Sequence, residues 1–146
     1  SYRSKGSYYD CITTVSGGKD GSYVSYNIKH KYKMNPLTIT FRPSMETNIG
    51  RDNLNSFIES GYDHIHISPD QNAMRMLNKI GLIDMGFPYY GWLMGIHTAV
   101  LRISIQMNIP LIFLLYFSLI ILFVNLYNHC VTLSTTKLDG FFYILL

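Results

Sequence analysis

The sequence predicts an α/β fold, a mainly parallel sheet with helices on both faces. Three observations carry that prediction. Short runs rich in β-branched residues alternate with stretches of helical periodicity, the pattern of βαβ units. The first such run ends in a glycine-rich turn, the kind of strand end at which parallel sheets bind ligands. The length, 146 residues, suits one domain with a sizeable core.

Each element follows from local pattern. Residues 10–15, DCITTV, read as a buried strand, closed by the turn SGGKDGS. A helix is predicted from Ser22 to about Lys33, with Val24, Ile28 and Tyr32 on one face. Asn-Pro then introduces a second strand, NPLTITF, over 35–41. Thr47 is placed to cap a helix over 48–60, with Ile49, Leu54, Phe57 and Ile58 as its apolar stripe and Gly61 as its stop. YDHIHI, 62–67, is a third strand, and a helix over 70–83 follows with Met74, Leu77 and Ile80 inward. The loop GFPYYG leads to a helix over 92–107 and to a fourth strand, IPLIF, over 109–113.

Composition narrows the class. Charged residues make up 14%, below the roughly 25% usual in soluble domains. The deficit is concentrated between Ile103 and Thr136, where there is no Asp, Glu, Lys or Arg. A formal net charge of +3 is too small and too scattered to indicate a nucleic-acid partner. Cys11 and Cys130 have no metal-site spacing, and SYRSKGSYYD at the N-terminus has no apolar signal-peptide core, so a reduced cytoplasmic setting is expected. With Ser at position 1, the sequence reads as a fragment or a processed product.

The turn carries the chemistry. Gly17 and Gly18 can adopt positive φ and let backbone N–H groups converge on an anion, while the following helix aims the positive end of its dipole at the same point. Lys19 adds a charge, and Ser16 and Ser22 add hydroxyls. The segment is neither a Walker A loop nor a G-x-G-x-x-G turn. An acidic residue, Asp20, within an anion loop makes sense if a divalent cation bridges it to phosphate. Ser16-Gly17-Gly18-Lys19-Asp20, with Gly21 inserted before Ser22, resembles the S-G-G-x-D-S signature of the PP-loop ATP pyrophosphatases.

The resemblance extends to a narrower family. YDCITTVSGGKDGSY, NPLTITFRP, NIGRDNLNSFIESGYDHIHISP and NIPLIF, in that order from Tyr9 to Phe113, are similar to the N-acetyl sugar amidotransferases of surface-polysaccharide biosynthesis. That resemblance implies an enzyme that adenylates the acetamido oxygen of an N-acetyl sugar with ATP, releases pyrophosphate, and lets ammonia displace AMP to leave an acetamidino group. It implies a nucleotide-linked sugar substrate and a separate glutaminase subunit that supplies the ammonia. It also implies that the nucleotide is held by Ser16, Gly17, Gly18, Lys19, Asp20, Gly21 and Ser22, with Thr40, Phe41 and Arg42 at the end of the second strand bordering it. Lys19 and Asp20 would act on the departing pyrophosphate, Asp20 through Mg2+. The other readings are an inactive or membrane-tethered nucleotide-binding remnant, and another PP-loop enzyme such as a tRNA thiolase.

Remaining features have plainer readings. Arg51, Asp52 and Asn53 fit a solvated helix face as well as they fit a site. His64 and His66 share a strand face, as a metal pair might, but have no third ligand near them in sequence and read as structural. FPYYGW, 87–92, reads as a packed connection in preference to a stacking platform, and His97 and Arg102 receive no role. The organisation expected is a lead-in over 1–9, an incomplete nucleotide-binding domain over 10–113, and an apolar tail over 114–146. The uncharged run 109–127 would span about 28 Å as a helix, close to a bilayer core, so it is also a membrane-span candidate. It begins, however, inside a predicted strand, and in the resembling family that strand leads to a polar Gly-Glu loop. A shifted reading frame or a truncated gene is therefore the preferred account of the tail, with a membrane anchor second. The family's cysteine-rich N-terminal zinc region has no counterpart in the sequence.

Overall fold

A computed structural model describes residues 8–114 and the backbone of 142–145. Five strands, β1 (Cys11–Thr14), β2 (Pro36–Phe41), β3 (His64–Ile67), β4 (Leu111–Leu114) and β5 (Phe142–Leu145), form one sheet in the order β3-β2-β1-β4-β5. Every neighbouring pair is parallel, with Ile12 opposite Leu37 and Ile112, and Thr38 opposite His64. The helices are α1 (Lys19–His30), α2 (Asn48–Glu59), α3 (Gln71–Met85) and α4 (Tyr90–Gln106). The parallel α/β class expected from the alternating pattern is what the chain adopts.

Strand periodicity sorts the core into two faces. Ile12, Leu37, Ile39 and Ile112 meet Ile96 and Val100 of α4 on one side. Cys11 and Leu111 meet Ile28 of α1 on the other. Burial pushes the Cys11 thiol up to about 12, so it behaves as a small core hydrophobe. The α1 side also holds buried hydroxyls, each paired: Thr13 Oγ1 lies 2.9 Å from Ser25 Oγ, and Thr38 Oγ1 donates to the Asp63 carbonyl at 2.8 Å. Pairing is what makes their burial tolerable.

Several boundaries and stripes differ from expectation. α1 starts at Lys19, three residues before Ser22, because Gly18 takes the extended backbone of an N-cap. α2 is capped as expected, Thr47 Oγ1 accepting from Gly50 N at 3.1 Å, and Gly61 follows its end with φ +92°. Ile49, however, is 75% exposed and not part of the inner stripe. In α3 only Met74 of the expected trio is buried, while Leu77 and Ile80 stay over 40% exposed. The buried residues are instead Met74 and Gly81, with half-buried Asn78 between them, since α3 lies close against α4: a Cβ on Gly81 would strike Tyr90, and one on Gly91 would strike Leu77. β4 runs one residue past Phe113.

Within the apolar run 109–127, Leu111–Leu114 is strand, and Ile109 and Ile112 lie in the core. Its remainder, like Cys130, lies outside the described residues. Among the described residues no helix is long and apolar enough to cross a membrane.

Asn78 holds the second helical pair together. Tyr89, the N-cap residue of α4, makes no side-chain cap bond. Asn78 Oδ1, reaching over from α3, accepts from Gly91 N at 3.0 Å and Trp92 N at 3.4 Å, and its Nδ2 donates to Ser44 Oγ at 3.2 Å. A cap of this kind contributes about 1–2 kcal/mol. Asn78→Ala should therefore lower unfolding stability by about that amount, measured by urea denaturation; an unchanged midpoint would show that the α4 terminus does not depend on this residue.

Candidate functional site

The turn after β1 is shaped by contacts that leave no room for side chains. Gly17 sits at φ +79°, and a Cβ there would overlap the Gly50 carbonyl at the start of α2. Asn53 Nδ2 donates to the Gly17 carbonyl at 3.4 Å. Gly21, the residue inserted relative to the S-G-G-x-D-S pattern, lies in the first turn of α1, where a Cβ would come 2.8 Å from the Thr14 carbonyl oxygen and 3.1 Å from Val15 Cα. The insertion is accommodated because the helix begins early and passes directly over the strand end. Val15 is fixed from both sides, its N–H donating to the Ile39 carbonyl at 3.0 Å and its carbonyl accepting from Thr40 Oγ1 at 2.6 Å.

Gly18 has no side chain with which to cap α1, so the amides of the first turn stay open to an incoming anion at the positive end of the helix. Beside them lies a cleft of about 170 Å³. Thr14, Ser16, Gly18, Asp20 and Gly21 form its polar side, and Ile39, Phe41, Trp92, Ile96 and Val100 its apolar side. Trp92 is held by its indole N–H, which donates to the Phe41 carbonyl at 3.4 Å, and the Phe41 ring occupies the space that a Cβ on Gly95 would need.

Of the residues singled out from sequence, Ser16, Gly18, Asp20, Gly21 and Phe41 line this one cleft. Gly17 supports it from beneath through Gly50. Lys19 is exposed next to Asp20 and does not line it. The Ser22 hydroxyl donates back to the Gly18 carbonyl at 3.1 Å, and the Thr40 hydroxyl is committed to Val15, so both brace the turn. Arg42 points to a separate cleft, where its Nε lies 3.4 Å from Glu46 Oε2. Trp92 and Gly50 were not legible as site residues: the one lay in an aromatic stretch that reads as a packed connection, the other in a helix, and only the tertiary fold brings them to the turn.

Of the two strand histidines, His64 is held through one ring nitrogen from the neighbouring strand. His64 Nδ1 lies 2.9 Å from Thr38 Oγ1, and the rings of His64 and His66 are 6.3 Å apart. Among the described residues no group of three metal-binding side chains converges. Burial, with a smaller contribution from His66, lowers His64 to about 4; burial also lowers His97.

No family model matches the chain, and no curated protein matches it. Among solved structures, one described as a predicted subunit of tRNA methyltransferase from Methanocaldococcus jannaschii is similar at TM-score 0.45 and 22% identity, covering 71% of this chain and 51% of that one. The chain therefore spans about half the length of that structure. A likeness this distant says nothing of activity.

Two measurements check these contacts. Gly21→Ala should cost about 1–3 kcal/mol of stability because backbone, not a yielding side chain, blocks the new methyl. Gly18→Ala, whose Cβ meets nothing nearer than Ser16 Oγ at 3.7 Å, should cost less than about 1 kcal/mol; equal losses would refute the steric account. For pH, a histidine held at about 4 in the fold and ordinarily near 6.5 takes up its proton in the unfolded chain first. Stability should thus be full above about pH 6.5, decline as pH falls toward 4, and level off below. Urea midpoints for His64→Gln across that range should decline less steeply than those of the parent chain, leaving the share due to His97.

Proposed function

We propose that this chain binds ATP, with the base in the apolar cleft and the phosphates on the turn, and uses it to activate an amide carbonyl by adenylation. One observation carries the reading: a glycine turn at the end of the central strand, opening the N-terminus of α1, adjoins a slot walled by Phe41 and Trp92. An anion site and an apolar slot side by side suit the two ends of a nucleotide. A cleft of about 170 Å³ has room for the base, which leaves the phosphates at the amides of the turn.

The chemistry asks little of the protein beyond positioning and charge neutralisation. The amide oxygen of the acceptor attacks the α-phosphorus as the bond to pyrophosphate breaks; ammonia then adds to the activated carbon and AMP departs with the bonding electrons. The first-turn amides and Lys19 offset charge on the leaving pyrophosphate. Asp20, the one carboxylate among the described residues lining the cleft, fits Mg2+, which commonly takes one or two carboxylates together with substrate phosphates. Magnesium bound there would supply further neutralisation of the pyrophosphate. The acceptor proposed is an N-acetyl sugar, with ammonia from a separate glutaminase subunit.

ATP binding measured calorimetrically with and without magnesium is the test. The parent chain should bind, Asp20→Ala should lose the magnesium-dependent part, and its stability should fall by no more than about 1 kcal/mol, the worth of one exposed first-turn carboxylate. Binding by Asp20→Ala equal to that of the parent would remove the metal role. Pyrophosphate release that requires an N-acetyl sugar and an ammonium salt supports the acceptor; release that requires tRNA instead would replace the sugar with an RNA base. ATP binding without release from any acceptor would mark a nucleotide-binding remnant.

A further inference from the structure

A second cleft, of about 420 Å³, lies along the same edge of the sheet and is lined by Arg42, Pro43, Ser44, Glu46, Arg51 and Gln71. It shares no lining residue with the first cleft, yet the two are built from consecutive positions. Phe41 walls one and Arg42 the other; Gly50 seats the turn and Arg51 follows it. Asn78 ties the two walls together through Ser44 and the amide of Trp92.

The second cleft is cationic, with two guanidinium groups against one carboxylate. Arg42 contacts Glu46 through Nε at 3.4 Å, and Arg51 Nη2 reaches Asn48 Oδ1 only at 3.4 Å. Neither contact is the short, two-point pairing that saturates a guanidinium. Ser44 Oγ accepts from Asn78, which leaves its own proton to donate, and Gln71 adds an amide. Two forked cations with neutral donors in the same cleft match a tetrahedral, multiply charged oxyanion better than a single carboxylate.

We propose that this cleft is an anion subsite separate from the nucleotide turn, and that it takes a phosphate group carried by the acceptor, held by Arg42 and Arg51. The assignment rests on the proposed ATP-dependent reaction: with the triphosphate on the turn, a second cleft, this one cationic, on the same edge, one residue past the end of β2 and one residue along α2, is placed for the other substrate. Arg42 then serves the acceptor and not the nucleotide.

The test is a set of binding titrations on the 146-residue chain, with and without saturating α,β-methylene ATP. The probes are N-acetylglucosamine 1-phosphate, N-acetylglucosamine and inorganic phosphate. The sugar phosphate should bind about tenfold or more tighter than either of the others, and Arg51→Gln and Arg42→Gln should each remove about that factor. Arg51→Gln should keep the parent's affinity for the ATP analogue and its thermal midpoint. Equal binding of sugar and sugar phosphate, or full binding by both arginine variants, would overturn the subsite. Inorganic phosphate binding as tightly as the ester would overturn its assignment to the acceptor. Failure of the parent chain to bind the ATP analogue is a different result: it sinks the nucleotide reading, while arginine-dependent binding of the sugar phosphate without analogue would still uphold the cleft.

Discussion

The upper edge of this sheet depends on backbone passing where no side chain fits. Gly17 rests on the carbonyl of Gly50, and Gly21 rests on the carbonyl of Thr14. These two contacts set how close α1 and α2 come to the end of the central strand. Because Gly21 lets α1 begin at Lys19, the helix N-terminus is brought down to the strand end, with Asp20 in its first turn. A turn that held larger residues would lift the helix away and separate the amides from the cleft beside them.

The two clefts are linked by shared supports. Phe41, the last residue of β2, and Arg42 just after it line different cavities, and consecutive residues of α2 either seat the turn or line the cationic cleft. Asn78 adds a third connection, since one side chain caps α4 behind Trp92 and steadies Ser44. A shift of α3 against α4 would therefore be felt in both cavities. The tight glycine contacts between those helices, at Gly81 and Gly91, keep that arrangement fixed.

The two sides of the sheet are built for different purposes. Toward α4 the strands present Ile12, Leu37, Ile39 and Ile112, and the burial is apolar. Toward α1 they present Thr13, Thr38 and His64 in one cross-strand row, Thr38 standing opposite Thr13 on one neighbour and His64 on the other. Hydroxyls in that row bond to Ser25, to the Asp63 carbonyl and to the His64 ring. Such a layer fixes helix position by direction as well as by contact, because each hydrogen bond is satisfied in only one register.

Much of the fold was legible in the sequence. Hydrophobic period and turn chemistry are local properties, so DCITTV, NPLTITF and IPLIF announced strands, and Thr47 and Gly61 marked the ends of α2. The glycine turn was legible because it departs from what either a strand or a helix tolerates. What the tertiary structure alone decided were choices that depend on a partner far away in the chain. The inward face of α3 turned on its glycine contacts with α4, not on its most apolar stripe, which is why Leu77 and Ile80 stay over 40% exposed. The start of α1 turned on Gly21 meeting Thr14, and the separation of Arg42 from the glycine turn on the course of α2 across the sheet edge. Sequence records which residues favour burial or a turn; it does not record which backbone will be close enough to exclude a methyl group, and at this site that closeness determined the geometry.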